Sequence, residues 1–243
     1  MISCILSLYL ALFVLPGRGV AVQETADALY ANRADLAVAR RATDLWAQQL
    51  QRDPKNYEAA WKLARARYWL GSHVPQAERK SVLEAGIDAS RAAIALAPNR
   101  PEGHFWKAAN MGSLAESFGL RQGLKYRGEI KDALLIVLKL DPAFQHGSAD
   151  RALGRWYYKV PGLFGGSRKK AEEHLRRSLT YQPASIASRY FLAETLLDMD
   201  RRIEAIAELQ KVIDLTPDPD WIPEDREFKD KAQRLLNTLR QKK

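Results

Sequence analysis

The sequence predicts an all-α protein, a right-handed superhelix (solenoid) of stacked helical hairpins, and three observations carry that prediction. Five amphipathic runs close on proline in the same way: "LQRDP" ends at Pro54, "IALAP" at Pro98, "LKLDP" at Pro142, "LTYQP" at Pro183 and "IDLTP" at Pro217. The residues before these prolines repeat apolar positions at helical spacing. No segment alternates apolar and polar residues with period two, so no sheet is expected.

Each element follows from local chemistry. Proline lacks an N–H and restrains the residue before it, so it ends one helix and can open the next. The intervals between the five prolines are 44, 44, 41 and 34 residues, and the last is the tetratricopeptide period. "AAWKLARARYWLG" (59–71) places Trp61, Ala64 and Tyr68 at the offsets of a tetratricopeptide first helix, with Gly71 as its C-terminal stop. The longer intervals imply longer helices or insertions, at "GSHVPQAERKS" (71–81) and "GLRQGLKYRG" (119–128). In "AEEHLRRSLTYQP" the apolar line is Ala171, Leu175 and Leu179. Residues 186–212 read as a complete hairpin turning near Asp198 to Asp200, and Ile203, Ile206, Leu209, Ile213 and Leu215 form the apolar face of its second helix. Each hairpin's apolar face can be covered only by its neighbours, which makes residues 22–243 one helical-repeat domain.

Composition narrows the function. With 47% hydrophobic and 28% charged residues the chain is long and apolar enough for a core, which excludes general disorder. The net charge is +9, but the signs are interspersed and no nucleic-acid motif accompanies them, so a solvated basic surface is expected and no nucleic-acid partner. "ISCILSLYLALFVLP" (2–16) is an apolar run too short for a comfortable membrane span, and "GVA" (19–21) is a small-x-small pattern. A signal peptide over residues 1–21, cleaved after Ala21, is expected, placing the protein in the periplasm or cell envelope. The rival reading is an uncleaved N-terminal membrane anchor. The one cysteine, Cys4, lies inside this segment, badly placed for lipid attachment.

No nucleophile elbow, zinc-peptidase motif, paired metal-ligand spacing or Walker motif occurs, so no enzyme activity, metal or cofactor is expected. His146, between Asp141 and Asp150, reads as a loop histidine beside helix-capping acids. The glycine-rich stretch "VPGLFGGSRKKAEEHL" (160–175) fails as a phosphate loop, because "RALGRWYYKV" before it scans as a helix and the Lys-Ser/Thr pair is missing. It reads instead as a break between two helices. Pro161 and Gly162 end the first, Gly165 and Gly166 permit positive φ, and Ser167 is the N-cap of the second. Arg168, Lys169 and Lys170 then oppose the helix dipole, which reads first as a solvated basic patch and second as the mark of an acidic neighbour or a partner.

Trp61, Tyr68, Trp69, Phe105, Trp106, Trp156, Tyr157, Tyr158, Tyr190 and Phe191 all fall on first helices of pairs, which line the concave surface of such a stack, although most of them are expected as core. Adjacent aromatics cannot share one side, so at least one of Phe105 and Trp106, and one of Trp156 to Tyr158, should face a groove or partner. Asn110, one turn after Trp106, is an awkward core residue unless hydrogen-bonded. The candidate docking residues are therefore Phe105, Trp106, Asn110, Trp156, Tyr157, Arg168 and Lys169.

Three motifs add a family resemblance: H-F-W-x-A-A-N-x-G (104–112), L-G-R-x-Y-Y-x-x-P-G (153–162) and G-G-S-x-x-K-A (165–171). Through them, residues 28 to 215 resemble the T-component of TRAP transporters, tetratricopeptide-like periplasmic proteins. The resemblance implies a non-catalytic envelope protein that associates with a periplasmic solute-binding protein, passes small apolar ligands and forms a homo-oligomer with a central pore. The family type is a lipoprotein and no lipobox is present here, so lipid tethering is not carried over. Similar repeats also occur in eukaryotic regulators of microtubule dynamics, where the role differs. A general envelope scaffold, docking a peptide or protein in an aromatic groove, is the alternative.

Overall fold

The structure, a computed structural model, describes residues 25–241. The expected signal segment, its cleavage point and Cys4 lie outside the described residues. Among the described residues eleven helices follow one another: α1 (Ala26–Ala31), α2 (Leu36–Arg52), α3 (Tyr57–His73), α4 (Gln76–Leu96), α5 (Pro101–Phe118), α6 (Leu120–Leu140), α7 (Phe144–Lys159), α8 (Arg168–Tyr181), α9 (Ile186–Leu197), α10 (Arg202–Asp214) and α11 (Ile222–Gln241). Short 3-10 turns, Gly162–Phe164 and Pro219–Trp221, precede α8 and α11. No strand occurs among the described residues, and no helix there is long and apolar enough to cross a membrane.

The repeat is visible in the backbone as well as in the sequence. The even-numbered helices α2, α4, α6 and α8 end at Asp53, Ala97, Asp141 and Gln182, each directly before one of the repeating prolines. These caps share one conformation, with φ from −130 to −154° and ψ from 75 to 97°. The cause is the clash between a proline ring and a preceding helical residue, which drives that residue to extended ψ. The odd helices α3 and α9 then start on side-chain caps: Asn56 accepts from the Ala59 N–H at 2.9 Å and Ser185 from the Ser188 N–H at 3.3 Å. Pro101 opens α5 as its first residue. The turn expected near 198–200 separates α9 from α10, with Asp200 at φ 60°.

Successive hairpins bury their faces on each other, as the stacking mechanism requires. One core runs from α1 to the start of α8 through Leu29, Trp46, Leu63, Leu83, Trp106, Met111, Leu134 and Leu153. A second runs from Leu175 through Leu192, Leu196, Leu209 and Leu236. The two segments expected as extensions or insertions, 71–81 and 119–128, are mostly helix, and α4 and α6 are each 21 residues long.

Two details correct the sequence reading. Ile203 is 86% exposed, because α10 buries Ala205, Leu209 and Val212 instead. Gly71 is not a stop: α3 continues to His73, and Val74 caps it. An added Cβ at Gly71 would lie 2.3 Å from Leu83 Cδ2, and Leu83 is fully buried. The glycine is there to let α4 come close. Gly71→Ala is expected to destabilise by about 1–3 kcal/mol through overpacking, read as a lower urea midpoint at unchanged slope.

A left-handed stretch opens α7. Gln145, His146 and Gly147 have φ of 44, 59 and 75° before the regular helix begins. Gly147 meets this demand, and its missing side chain also leaves room for Tyr181 and the Ser178 backbone. His146 therefore sits in an irregular turn, as expected. Asp150 pairs instead with His174 of α8, Oδ1 to Nδ1 at 2.6 Å.

Candidate functional site

The aromatic residues singled out from the sequence lie on the odd helices, but as core. Phe105 and Trp106 are 7% and 2% exposed, so neither faces a groove. Phe105 meets Trp106 and Phe144 edge-on at 5.0 and 5.5 Å, and Trp106 tilts against Tyr68 at 5.7 Å. Helix α5 has neighbours on two sides, α3 and α4 before it and α6 and α7 after it. Two adjacent side chains pointing different ways are therefore both covered. Asn110 is fully buried and hydrogen-bonded: its Nδ2 donates to the carbonyls of Ala64 at 3.0 Å and Trp106 at 2.8 Å. Trp156 and Tyr157 are 8% and 7% exposed. Trp156 Nε1 donates to the Arg127 carbonyl at 2.9 Å, and Tyr157 stacks on His174 at 5.3 Å. Tyr158 alone of that trio is half-buried.

The loop before α8 folds back onto α7. The Ser167 N–H donates to the Tyr157 carbonyl at 2.9 Å, and the Ser167 hydroxyl caps α8 by accepting from Lys170 N–H at 3.3 Å. Gly165 has φ 103°, but Gly166 does not take positive φ. Its glycine is required by space: an added Cβ would fall 1.6 Å from the Val160 carbonyl oxygen. At Arg168 the basic helix start has an acidic neighbour, the second of the two readings, while Lys170 is exposed. Arg168 binds the Asp198 carboxylate and the Tyr158 carbonyl, and its guanidinium lies 4.6 Å from the Tyr158 ring. Lys169 is exposed.

The most concentrated polar chemistry lies elsewhere, along the face made by the odd helices. On α7, Arg155 bridges Glu116 of α5 at 3.0 Å and Glu194 of α9 at 2.6 Å, while lying 4.7 Å from the Phe191 ring. The Pro219–Trp221 turn and the first two turns of α11 lie over this face. Arg33, in the corner between α1 and α2, is 4% exposed and holds Glu224 through Nε at 2.9 Å and Nη2 at 2.5 Å. The same guanidinium donates to the Asp220 carbonyl at 2.8 Å and lies 4.8 Å from the Tyr30 ring and 5.4 Å from the Trp69 ring. Trp69 Nε1 donates to the Arg33 carbonyl at 2.8 Å and stacks on His73. His73 Nε2 contacts Glu227 Oε1 at 2.6 Å. Phe228 closes the far end, edge-on to Phe191 at 5.2 Å and tilted on Tyr190 at 5.4 Å. Residues from the first hairpin and the last helix, 191 positions apart, are thus joined.

Burial sets the electrostatics of this seam. Asp225, 7% exposed, has its pKa raised by desolvation despite accepting the Asp218 N–H at 2.9 Å. Arg151 of α7, which interacts electrostatically with Asp225, is held below the usual arginine range by burial. Burial is the largest influence on Arg33 and works against its charge, but the hydrogen bond to Glu224 and the neighbouring charges together outweigh it and the pKa rises. For His73, desolvation lowers the pKa, and the hydrogen bonds to Glu227 and the Trp69 carbonyl more than restore it, giving a net rise. Glu227 moves down, chiefly through that same hydrogen bond.

A pH dependence follows. The stabilisation due to His73 is fully present below its unfolded pKa of about 6.5 and is lost as pH rises through the higher folded value. The part due to Glu227 is lost only in acid, as pH falls through its depressed pKa. His73→Gln is expected to cost on the order of 1 kcal/mol at pH ~6, with the gap to wild type closing by pH ~9. Urea unfolding at the two values checks this, and a pH-independent gap would show that the imidazolium takes no part.

Sequence reasoning missed Arg33, His73, Trp221, Glu224, Asp225, Glu227 and Phe228. Two signals for the last five were present. Residues 218–228, "DPDWIPEDREF", carry five acids and one base in a chain of net charge +9. Asp225 also falls on the stripe that continues as Ala232, Leu236 and Leu239, an acid where α11 is otherwise apolar.

Comparison with known proteins bears on fold and family. A thermophilic TPR protein from Thermus thermophilus, TTC0263, superposes with a TM-score of 0.65 at 21% identity, over 87% of this chain and 95% of that one. MamA is more distant, with a TM-score of 0.49 at 16% identity, over 82% of this chain and 95% of its own. No curated protein matches the sequence. The first superposition shows a tetratricopeptide-like helical solenoid. Over residues 22–164 the sequence matches the family described as regulator of microtubule dynamics protein 1-3, and the chain belongs to that family.

Proposed function

We propose that this chain is a non-catalytic helical-repeat scaffold that docks a protein partner on the face lined by its odd-numbered helices. The observation that supports this most is the polar and aromatic surface of that face, where Arg33, His73, Arg151 and Arg155 stand beside Tyr68, Tyr190 and Phe191. A long concave surface of this kind, built on rigid stacked helices, is suited to an extended partner. Among the described residues no group of three or more His, Cys, Asp or Glu side chains is placed to hold a metal ion.

The finer reading is an exported protein of the TRAP T-component type, receiving a periplasmic solute-binding protein or a small apolar ligand. Its support is the apolar segment 2–16, the small-x-small pattern after it, and the motifs at 104–112 and 153–171. Microtubule regulation, the activity in the family's name, is the alternative partner class.

One experiment addresses all three. The full chain and its Arg151→Glu/Arg155→Glu variant are purified from native cells, and co-purifying proteins and small molecules are identified by mass spectrometry. The proposal expects one protein recovered with wild type and lost with the folded variant. A solute-binding protein would support the T-component reading, and tubulin or a tubulin-associated protein would overturn it. Partners indifferent to the variant would overturn the docking face itself.

A further inference from the structure

We infer that the odd-helix face recognises an acidic, aromatic-anchored segment of a partner protein, and that residues 218–228 occupy this site in cis as a stand-in for it. The inference deepens the docking reading above and rests on it.

The occupant's chemistry is written in the segment that fills the site. Residues 218–228 are the most acidic stretch against this face, in a chain that is otherwise strongly basic. Two of their carboxylates meet the face's cations: Glu224 meets Arg33 and Glu227 meets His73. Phe228 supplies the aromatic anchor against Tyr190 and Phe191.

Apart from the buried Asp225, the segment lies nearer the surface than the rest of α11. The Pro219–Trp221 turn has no buried residue, and the Glu224 and Glu227 side chains are 21% and 43% exposed. By contrast, the later part of α11 is fixed by Ala232, Leu236 and Leu239 in the second core. The first two turns of α11 can therefore leave the face while the rest stays in place. The Glu227–His73 pair is partly exposed, so it is weak and weakened further by salt, whereas the pair between Glu224 and the buried Arg33 is the contact that a competing carboxylate has to replace in kind.

The cis segment also leaves donors over. Arg151 makes no hydrogen bond or ion pair among the described residues, and burial holds it below the usual arginine range. A segment with a carboxylate one position better placed would take that guanidinium bidentately, a stronger contact than any single-point pair. Arg33 and His73 thus place two cations along the path that residues 220–227 follow, and Tyr190 and Phe191 end it.

The test uses the full-length protein. A fluorescein-labelled peptide with the sequence of residues 216–230 is titrated into wild type and into Glu224→Ala/Glu227→Ala/Phe228→Ala, with anisotropy as readout and circular dichroism as the folding check. Removing cis competition should tighten peptide binding by at least about tenfold, because a site mostly closed in cis shows its affinity reduced by the open fraction. Arg33→Gln in the released background should weaken the binding, because Glu224 of the segment pairs with Arg33, and a peptide with every Asp and Glu replaced by its amide should not bind. If the triple variant fails to fold, hydrogen exchange on wild type replaces it. Saturating acidic peptide should speed exchange of amides 226–228, the first in α11 with intrahelical partners, and leave 232–239 unchanged.

A folded, released variant that ignores the acidic peptide, or binds the amide peptide equally well, would overturn the inference. So would a swapped dimer of the released variant, which would make a second copy the occupant, and so would exchange rates unmoved by the peptide. If the peptide fails while Arg151→Glu/Arg155→Glu still loses its co-purified partner, the docking face stands and only the partner's acidic chemistry falls.

Discussion

Trp106→Ala is expected to lower the unfolding free energy by about 3–5 kcal/mol, the cost of removing a large side chain from a packed core. Trp106 is 2% exposed and sits where α3 and α5 meet, against Tyr68 and Phe105. The cavity cannot close by shifting one neighbour, because α5 is wedged between the hairpins on either side. Trp106→Phe is the control that separates shape from polarity. The ring nitrogen of Trp106 is buried and makes no hydrogen bond, so phenylalanine should retain most of the stability, within about 1.5 kcal/mol. Urea unfolding followed by circular dichroism measures both. A Trp106→Ala protein as stable as wild type would mean that this residue is not the core element described.

Asn110→Asp is the second large effect, expected at about 3–5 kcal/mol near neutral pH. Asn110 Nδ2 donates to two backbone carbonyls, which ties α5 to α3 at a fully buried position. Aspartate replaces that donor by an acceptor, so a carboxylate would face two carbonyl oxygens. The other oxygen position is crowded too: an added Cβ on Gly86 of α4 would lie 2.2 Å from Asn110 Oδ1. The new carboxyl should have a raised pKa in the fold. Its penalty is then absent below the unfolded pKa of about 4 and grows as pH rises through the folded value. The gap between wild type and variant should widen with rising pH, the opposite of the His73→Gln behaviour. A gap that is flat in pH would show the position to be hydrated.

These two residues also show what was legible in the sequence. The prolines at 54, 98, 142 and 183 were readable as repeat ends because a proline constrains its own predecessor, a purely local effect that no tertiary context overrides. Ser167 was readable as a cap for the same reason, and the cap bond is present. Phe105 and Trp106 were readable as aromatic residues on a first helix, but not as buried on both sides. Their burial depends on how two neighbouring hairpins close over α5, which helical periodicity within α5 does not contain. Gly71 was misplaced as a helix stop because a glycine at a C-terminus and a glycine under a leucine look alike in sequence. The Arg33–Glu224 and His73–Glu227 pairs were out of reach altogether, since they join the first hairpins to α11. Charge patterning alone marked their acidic half.

That long-range closure is what distinguishes this chain from a row of independent hairpins. A double-mutant cycle on Arg33→Ala and Glu224→Ala, read by urea unfolding of the full chain, measures it. The bidentate geometry and the burial of Arg33 predict a coupling energy of about 1.5–3 kcal/mol, with the double variant losing less than the sum of the single losses. Additivity within about 0.5 kcal/mol would contradict the closure of the first hairpin onto α11.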